Sequence, residues 1–161
     1  MVHGLIEQGF NFHLHIAGAT HGDFRYEAAV HSLVERLILE DKVIFYGNIT
    51  DTPRWLQGID IFISNSYWEG HQVALIEAMA SGCYCLSHFW AGAGETLPLE
   101  NLFIHERELQ QKIVVYSKLS SEERRERQSQ MREIACKKFD IERTKKQIRE
   151  VIEIVGYSHL L

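Results

Sequence analysis

Residues 59–82 force a strand, a tight loop and a helix to follow one another. Ile59-Asp60-Ile61-Phe62-Ile63-Ser64 is short and rich in β-branched and aromatic side chains, and reads as a buried strand. From Gln72 to Ser81 the apolar residues return at helical spacing, with Val73, Ile76 and Ala80 on one face. Gly82 stops the helix, since a residue without Cβ lets the backbone turn. Two carboxylates, Glu69 and Glu77, stand eight positions apart across the helix start. The first turn of such a helix carries unpaired N–H groups at the positive end of its dipole, which suits a diphosphate, and the backbone amides of Gln72, Val73 and Ala74 are the expected donors. A carboxylate would repel that diphosphate. Glu69 and Glu77 are therefore expected to accept hydrogen bonds from neutral hydroxyls, as sugars and riboses supply. A nucleotide-sugar carries both chemistries. Glu77 lies among apolar neighbours, and if buried it requires such donors, which ribose hydroxyls provide.

The rest of the chain repeats the alternation. Helices are expected at about 2–9, 24–39, 52–57 and 72–81, and strands at 12–17, 43–46, 59–63, 83–88 and 102–104, with helices from there to the end. Strands that alternate with helices make right-handed crossovers and a parallel sheet. The fold class is thus α/β: an open, mostly parallel sheet with helices on both faces. Ligands bind beyond the carboxyl ends of such strands, which here carry Gly18 to Gly22, Gly47 to Thr50, Ser64 to Gln72 and Ser87 to Glu95. Ser120-Ser121-Glu122-Glu123 is a capping-box pattern opening a long helix whose apolar stripe is Met131, Ile134 and Ala135, and Ile141 to Val155 is a last amphipathic helix.

Composition narrows the function classes. The 161 residues suit one domain, and 45% hydrophobic residues with only two prolines fit a globule rather than a disordered chain. The net charge of -5 is uneven: residues 120–150 hold ten Lys or Arg against seven Asp or Glu, and residues 1–119 seven against fourteen. An acidic surplus in the half with the pocket argues against a nucleic-acid groove. The basic tail reads as two solvated helices, with a surface for acidic lipid headgroups as the alternative. No apolar run reaches the roughly 18 residues of a membrane span, and no signal sequence opens the chain. The expected location is cytoplasmic, with peripheral membrane contact left open. Cys83, Cys85 and Cys136 form an odd, poorly spaced set and read as reduced thiols.

Glu69-Gly70, then Leu75-Ile76-Glu77-Ala78-Met79-Ala80-Ser81-Gly82, then Ser87 and Gly92 to Glu95, resembles the E-x7-E signature of the family 4 retaining glycosyltransferases of GT-B fold. Phe12 to Gly18, Val43 to Gly47 and Trp55 to Asp60 stand where that family's donor-binding lobe has its preceding strands and helix. The resemblance implies that residues 1–161 are the C-terminal, Rossmann-like lobe of such an enzyme. It also implies that the first strand, the glycine-rich loop with a diphosphate-neutralising Arg and Lys, and the acceptor-holding N-terminal lobe are outside these residues, so that this chain alone would bind weakly and not catalyse. Glu69 would then accept from hydroxyls of the transferred sugar, and Gly47 and Asn48 would line the base, a simple turn being their equal alternative. The family places an aromatic residue and a glycine where this chain has His71 and Gln72. Gly70 and His71 fall on the sugar side of the pocket, His88 is a candidate donor-site contact at a strand end, and Glu95 would orient the motif helix or meet the sugar.

The donor implied is a UDP-, GDP- or ADP-sugar, and the acceptor a glycan or lipid-linked sugar in polysaccharide synthesis. No metal is expected, because basic side chains and amides neutralise the diphosphate. His13 and His15 share one side of a strand at metal-compatible spacing but have no third ligand at a recognisable distance. Two other readings use the same residues. A non-catalytic nucleotide-sugar or carbohydrate binding module would show the pocket without transfer. A glycoside hydrolase would use Glu69 and Glu77 as acid and nucleophile, which a parallel sheet with phosphate-oriented amides fits poorly.

Overall fold

A computed structural model describes residues 1–19 and 24–158. Its elements are α1 (Val2–Glu7), β1 (Leu14–Ala17), α2 (Phe24–Arg36), β2 (Val43–Gly47), α3 (Thr52–Leu56), β3 (Ile61–Ser64), α4 (Val73–Ser81), β4 (Tyr84–His88), α5 (Ala93–Thr96), a 3-10 turn at Leu99–Asn101, β5 (Leu102–Phe103), α6 (Glu106–Ser117), α7 (Ser121–Phe139) and α8 (Ile141–Ser158). The alternation read from the sequence is present, and all strand pairs are parallel. Of the expected carboxyl-end segments, Gly18 to Gly22 lies partly outside the described residues.

The sheet is divided. β1 pairs with β2, and separately β3, β4 and β5 pair in that order. The expected α/β arrangement of parallel strands flanked by helices is present, and β1 and β3 lie on either side of a cavity of about 740 Å³.

The core forms around the larger sheet. β4 lies between two neighbours, so Cys85, Leu86 and Ser87 are fully buried. On one face α4 and α7 pack together, joining Leu56, Leu75, Ala78, Met79, Met131 and Ala135. On the other, Leu5 of α1 and Leu109 and Ile113 of α6 meet Leu86 and Phe103. The α7 stripe is as expected, with Ile134 packed at its edge. The face of α4 is not: Leu75, Ala78 and Met79 are buried, whereas Val73 is 55% exposed and Ala80 also faces solvent. Nothing within residues 72–81 reveals that α7, some fifty positions downstream, chooses which side is covered.

Local signals set the ends. Gly82 has φ +91°, its N–H donates to the Met79 carbonyl and that of Cys83 to the Ala78 carbonyl, closing α4 with a left-handed residue that only glycine adopts freely. Ser120 and Glu123 complete the capping box at α7, each side chain bonding the other's backbone N–H. All three cysteines are free, Cys83 and Cys85 buried and Cys136 exposed. No helix among the described residues is long and apolar enough to cross a membrane.

Candidate functional site

The site is built where β1, β2, β3 and β4 end. Gly47, at φ +62°, turns the chain out of β2, and the Gly18 N–H donates to its carbonyl at 2.8 Å. Asn48 follows on the rim. Gly18, Asn48, Ala74 and Glu77 all line the cavity, so the turn after β2 and the first turns of α4 share one space.

Gln72 carries the local architecture. It is the N-cap of α4, yet its side chain makes no capping bond and turns inward, only 4% exposed. Its Nε2 donates to Ser64 Oγ at 3.0 Å and to Ser87 Oγ at 3.1 Å, while Ser87 donates onward to the His88 carbonyl. One amide thus ties the helix start to the ends of β3 and β4. The Oε1 of Gln72 is buried and has no partner among the described residues. The signal for this role was the long amide side chain directly before a helix start. The sequence pattern itself points only to its backbone amide.

The three amides expected for a diphosphate are not equivalent. The Val73 N–H donates to the His71 carbonyl at 2.9 Å, so it is occupied, while Ala74 stands in the first turn, where no carbonyl four residues back is available. Gln72 precedes that turn. The expected set of Gln72, Val73 and Ala74 thus loses its middle member.

The carboxylates also differ from expectation. Glu77 is exposed, not buried among apolar neighbours, and lines the cavity. Glu69 is half-buried in the loop after β3, outside the cavity lining. Gly70 is exposed beside it, and His71 turns away to set its ring edge-on against Phe139 at 5.8 Å. His88 packs at a tilt against Tyr67, ring centroids 4.4 Å apart, and places Nε2 3.1 Å from the Ile104 carbonyl. A carbonyl only accepts, so Nε2 carries a proton, and the buried Nδ1 has no partner among the described residues. Glu95 is exposed on α5, and its backbone carbonyl accepts from Lys138 of α7. His15 Nδ1 pairs with the Tyr46 hydroxyl at 2.8 Å. Tyr67 and Trp68, 73% and 81% exposed directly before Glu69, were not among the expected site residues.

Residues 1–117 match the family described as glycosyl transferases group 1. The chain belongs to that family. This group 1 glycosyltransferase domain is 34% identical over 68 residues to the lipopolysaccharide core biosynthesis mannosyltransferase LpsB of Rhizobium meliloti, which covers 42% of the chain and 19% of LpsB. It is 29% identical over 105 residues to protein CapJ of Staphylococcus aureus, covering 63% of the chain and 26% of CapJ. Among solved structures it superposes on a glycosyltransferase from Rickettsia africae with a TM-score of 0.82 at 22% identity, over 95% of the chain and 42% of that protein. With Anabaena HepE in complex with UDP the TM-score is 0.80 at 25% identity, over 88% of the chain and 41% of HepE. The domain therefore spans about two fifths of these solved relatives and about a quarter or less of the curated ones.

Proposed function

We propose that this domain is the C-terminal, donor-binding lobe of a family 4 retaining glycosyltransferase, a hexosyltransferase of glycan or polysaccharide synthesis. The observation that carries the reading is the shared rim: Asn48, Ala74 and Glu77 border one space at the carboxyl ends of parallel strands, beside the amino end of α4. HepE, similar in fold over most of this chain, was solved with UDP, and a UDP-sugar is accordingly the first donor to test, ahead of GDP- and ADP-sugars.

In this reading each residue has a distinct task. The amides of Gln72 and Ala74, at the positive end of α4, hold the diphosphate. Glu77 accepts from the ribose hydroxyls, and Gly47 and Asn48 border the base. Glu69, with Gly70 and His71 in the same loop, faces the transferred sugar. As the glycosidic bond to the diphosphate breaks, positive charge develops at the anomeric carbon, and a carboxylate hydrogen-bonded to the sugar stabilises it. The acceptor, a glycan or lipid-linked sugar, is held by an N-terminal lobe and attacks from the face the diphosphate leaves. No metal is required in this scheme. His88 and Glu95 act through structure, His88 beneath Tyr67 and Glu95 through Lys138.

Titration of isotopically labelled domain with UDP, GDP and ADP tests this. Resonance shifts centred on Asn48, Ala74 and Glu77 support the reading. Shifts confined to residues 120–150, or none with any nucleotide at millimolar concentration, overturn it.

A further inference from the structure

Tyr67 and Trp68 stand in the loop after β3 as two adjacent, exposed aromatic side chains, followed at once by the half-buried Glu69. Single exposed apolar residues are ordinary, but two large rings next to a carboxylate form a surface with a definite chemistry. Tyr67 is also braced from behind. Its ring packs at a tilt against that of His88, and His88 sets its own ring edge-on to the buried Phe103 at 5.6 Å while Nε2 bonds the Ile104 carbonyl. A ring supported from the core outward loses little freedom when a partner is laid on it, and that lowers the cost of binding.

A pyranose ring has two kinds of surface. Its axial C–H bonds make an apolar face of slight positive charge, which suits the negative face of an aromatic ring, and its hydroxyls make a polar edge, which suits a carboxylate. Tyr67, Trp68 and Glu69 offer both chemistries in consecutive residues. The order of elements across the molecule says which sugar. Asn48 follows β2, and Ala74 and Glu77 line the cavity between β1 and β3, whereas Tyr67 lies on the far side, against His88 at the end of β4, whose partner in register is Phe103 of β5. Glu69, between Tyr67 and α4 in the chain, is outside the cavity lining. A donor with its nucleotide in the cavity and its sugar at Glu69 thus leaves the aromatic pair beyond the transferred sugar, on the side from which the acceptor comes.

We propose that Tyr67 and Trp68 are an acceptor-sugar platform, on which a pyranose ring of the acceptor glycan stacks by its C–H face while the donor occupies the cavity. The assignment to the acceptor rests on the donor-site reading above. The acceptor then meets this domain as well as the lobe that holds it, and the platform selects for a ring with an unbroken C–H face next to the hydroxyl that attacks. His88 is a positioning residue here, since it orients Tyr67 and touches no substrate.

The test is titration of isotopically labelled domain with methyl β-D-glucopyranoside and methyl α-D-mannopyranoside, with glycerol as a control that has hydroxyls but no ring face. Expected are saturable shifts of the Trp68 indole N–H and of Tyr67 and His88 with at least one glycoside, none with glycerol, and the same shifts when UDP is already bound. Trp68→Ala is expected to weaken glycoside binding by roughly three- to tenfold, read at Tyr67 and His88, and Trp68→Phe to restore most of it. Trp68 is exposed, so an unchanged denaturation midpoint shows that the variant is folded. No saturable shift at about 100 mM glycoside (a Kd far above the 1 mM mark of weak binding), an equal response to glycerol, or unchanged affinity in Trp68→Ala overturns the proposal. So does UDP that itself moves Trp68, or UDP-glucose that displaces the glycosides from it, since the platform would then belong to the donor. The same spectra report Asn48 and Ala74. A UDP response missing there, with the Trp68 response intact, overturns the donor reading and leaves the stacking of sugar on Trp68 supported.

Discussion

The Nε2 of Gln72 stands 3.1 Å from the Oγ of Ser87, fastening the N-cap of α4 to the carboxyl end of β4 at a point that is almost wholly buried. The bond joins β4 to α4, whose Ala74 and Glu77 line the cavity proposed to take the nucleotide. Its removal should therefore be felt in stability and in ligand binding together.

Gln72→Ala deletes this bond and the one to Ser64, and a buried hydrogen bond contributes about 0.5–1.5 kcal/mol net. A loss of about 1–3 kcal/mol is expected for the pair, read from urea unfolding. Gln72→Glu is expected to be worse at neutral pH, because it buries a carboxylate that cannot donate to either serine. Equal stability of the two variants at pH 7 would show that the amide protons do not hold the helix start.

Met79→Ala tests the packing of α4 on α7. Met79 is fully buried in the cluster that contains Met131 and Ala135, and truncation there costs about 2–5 kcal/mol by lost transfer energy and a residual cavity. Val73→Ala, at an exposed site on the same helix, is expected to stay within about 0.5 kcal/mol. Chemical denaturation of both variants checks the contrast. Similar losses would mean that the buried side of α4 is wrongly assigned.

That contrast marks how far the sequence could be read. Gly82, the capping box at Ser120 and the strand at 61–64 follow from local chemistry, and each lies within two residues of where the sequence put it. The exposure of Val73 and the burial of Ala78 depend on α7, which is distant in the chain. Likewise, the diversion of the Val73 amide to the His71 carbonyl depends on the path of one loop, and no periodicity encodes it. Asn48 and Glu77 line the cavity, and both could be picked out from the sequence because turns and motif spacing are local. The turning of His71 toward Phe139 was not, since its partner lies at the end of another helix.

Alkaline pH is expected to weaken the fold. Burial, then the charge of Asp60, pushes the Cys83 thiol from its ordinary 9.0 up to about 11, and burial, then the charge of Cys83, holds Cys85 well above its usual value. Burial likewise raises Tyr116 to about 12. In each case the folded state keeps its proton longer than the unfolded one. Stability is thus fully present below the unfolded thiol value and declines as pH rises from about 9 through 11. Denaturation midpoints between pH 8 and 11 give the slope. A Cys83→Ala variant should show a shallower decline; an unchanged slope would remove this thiol from the account.

On the proposed function, the two glutamates should separate kinetically in a glycosyltransferase that carries this domain. Glu77→Gln keeps the shape but turns half of a two-oxygen acceptor into a donor, so a ribose contact weakens and the KM for the donor rises with little change in kcat. Glu69→Gln is expected to behave otherwise. If its carboxylate meets the sugar while positive charge develops at the anomeric carbon, its contribution is larger in the transition state than in the ground state, and kcat falls more than donor binding does. Loss of one charge-assisted hydrogen bond, about 1.5–3 kcal/mol, corresponds to roughly a tenfold to hundredfold effect on the parameter concerned. Steady-state kinetics with the native donor, beside direct titration of each variant with UDP, distinguishes the two. Unchanged kcat and KM in both variants would make the pair structural and remove Glu69 and Glu77 from the site.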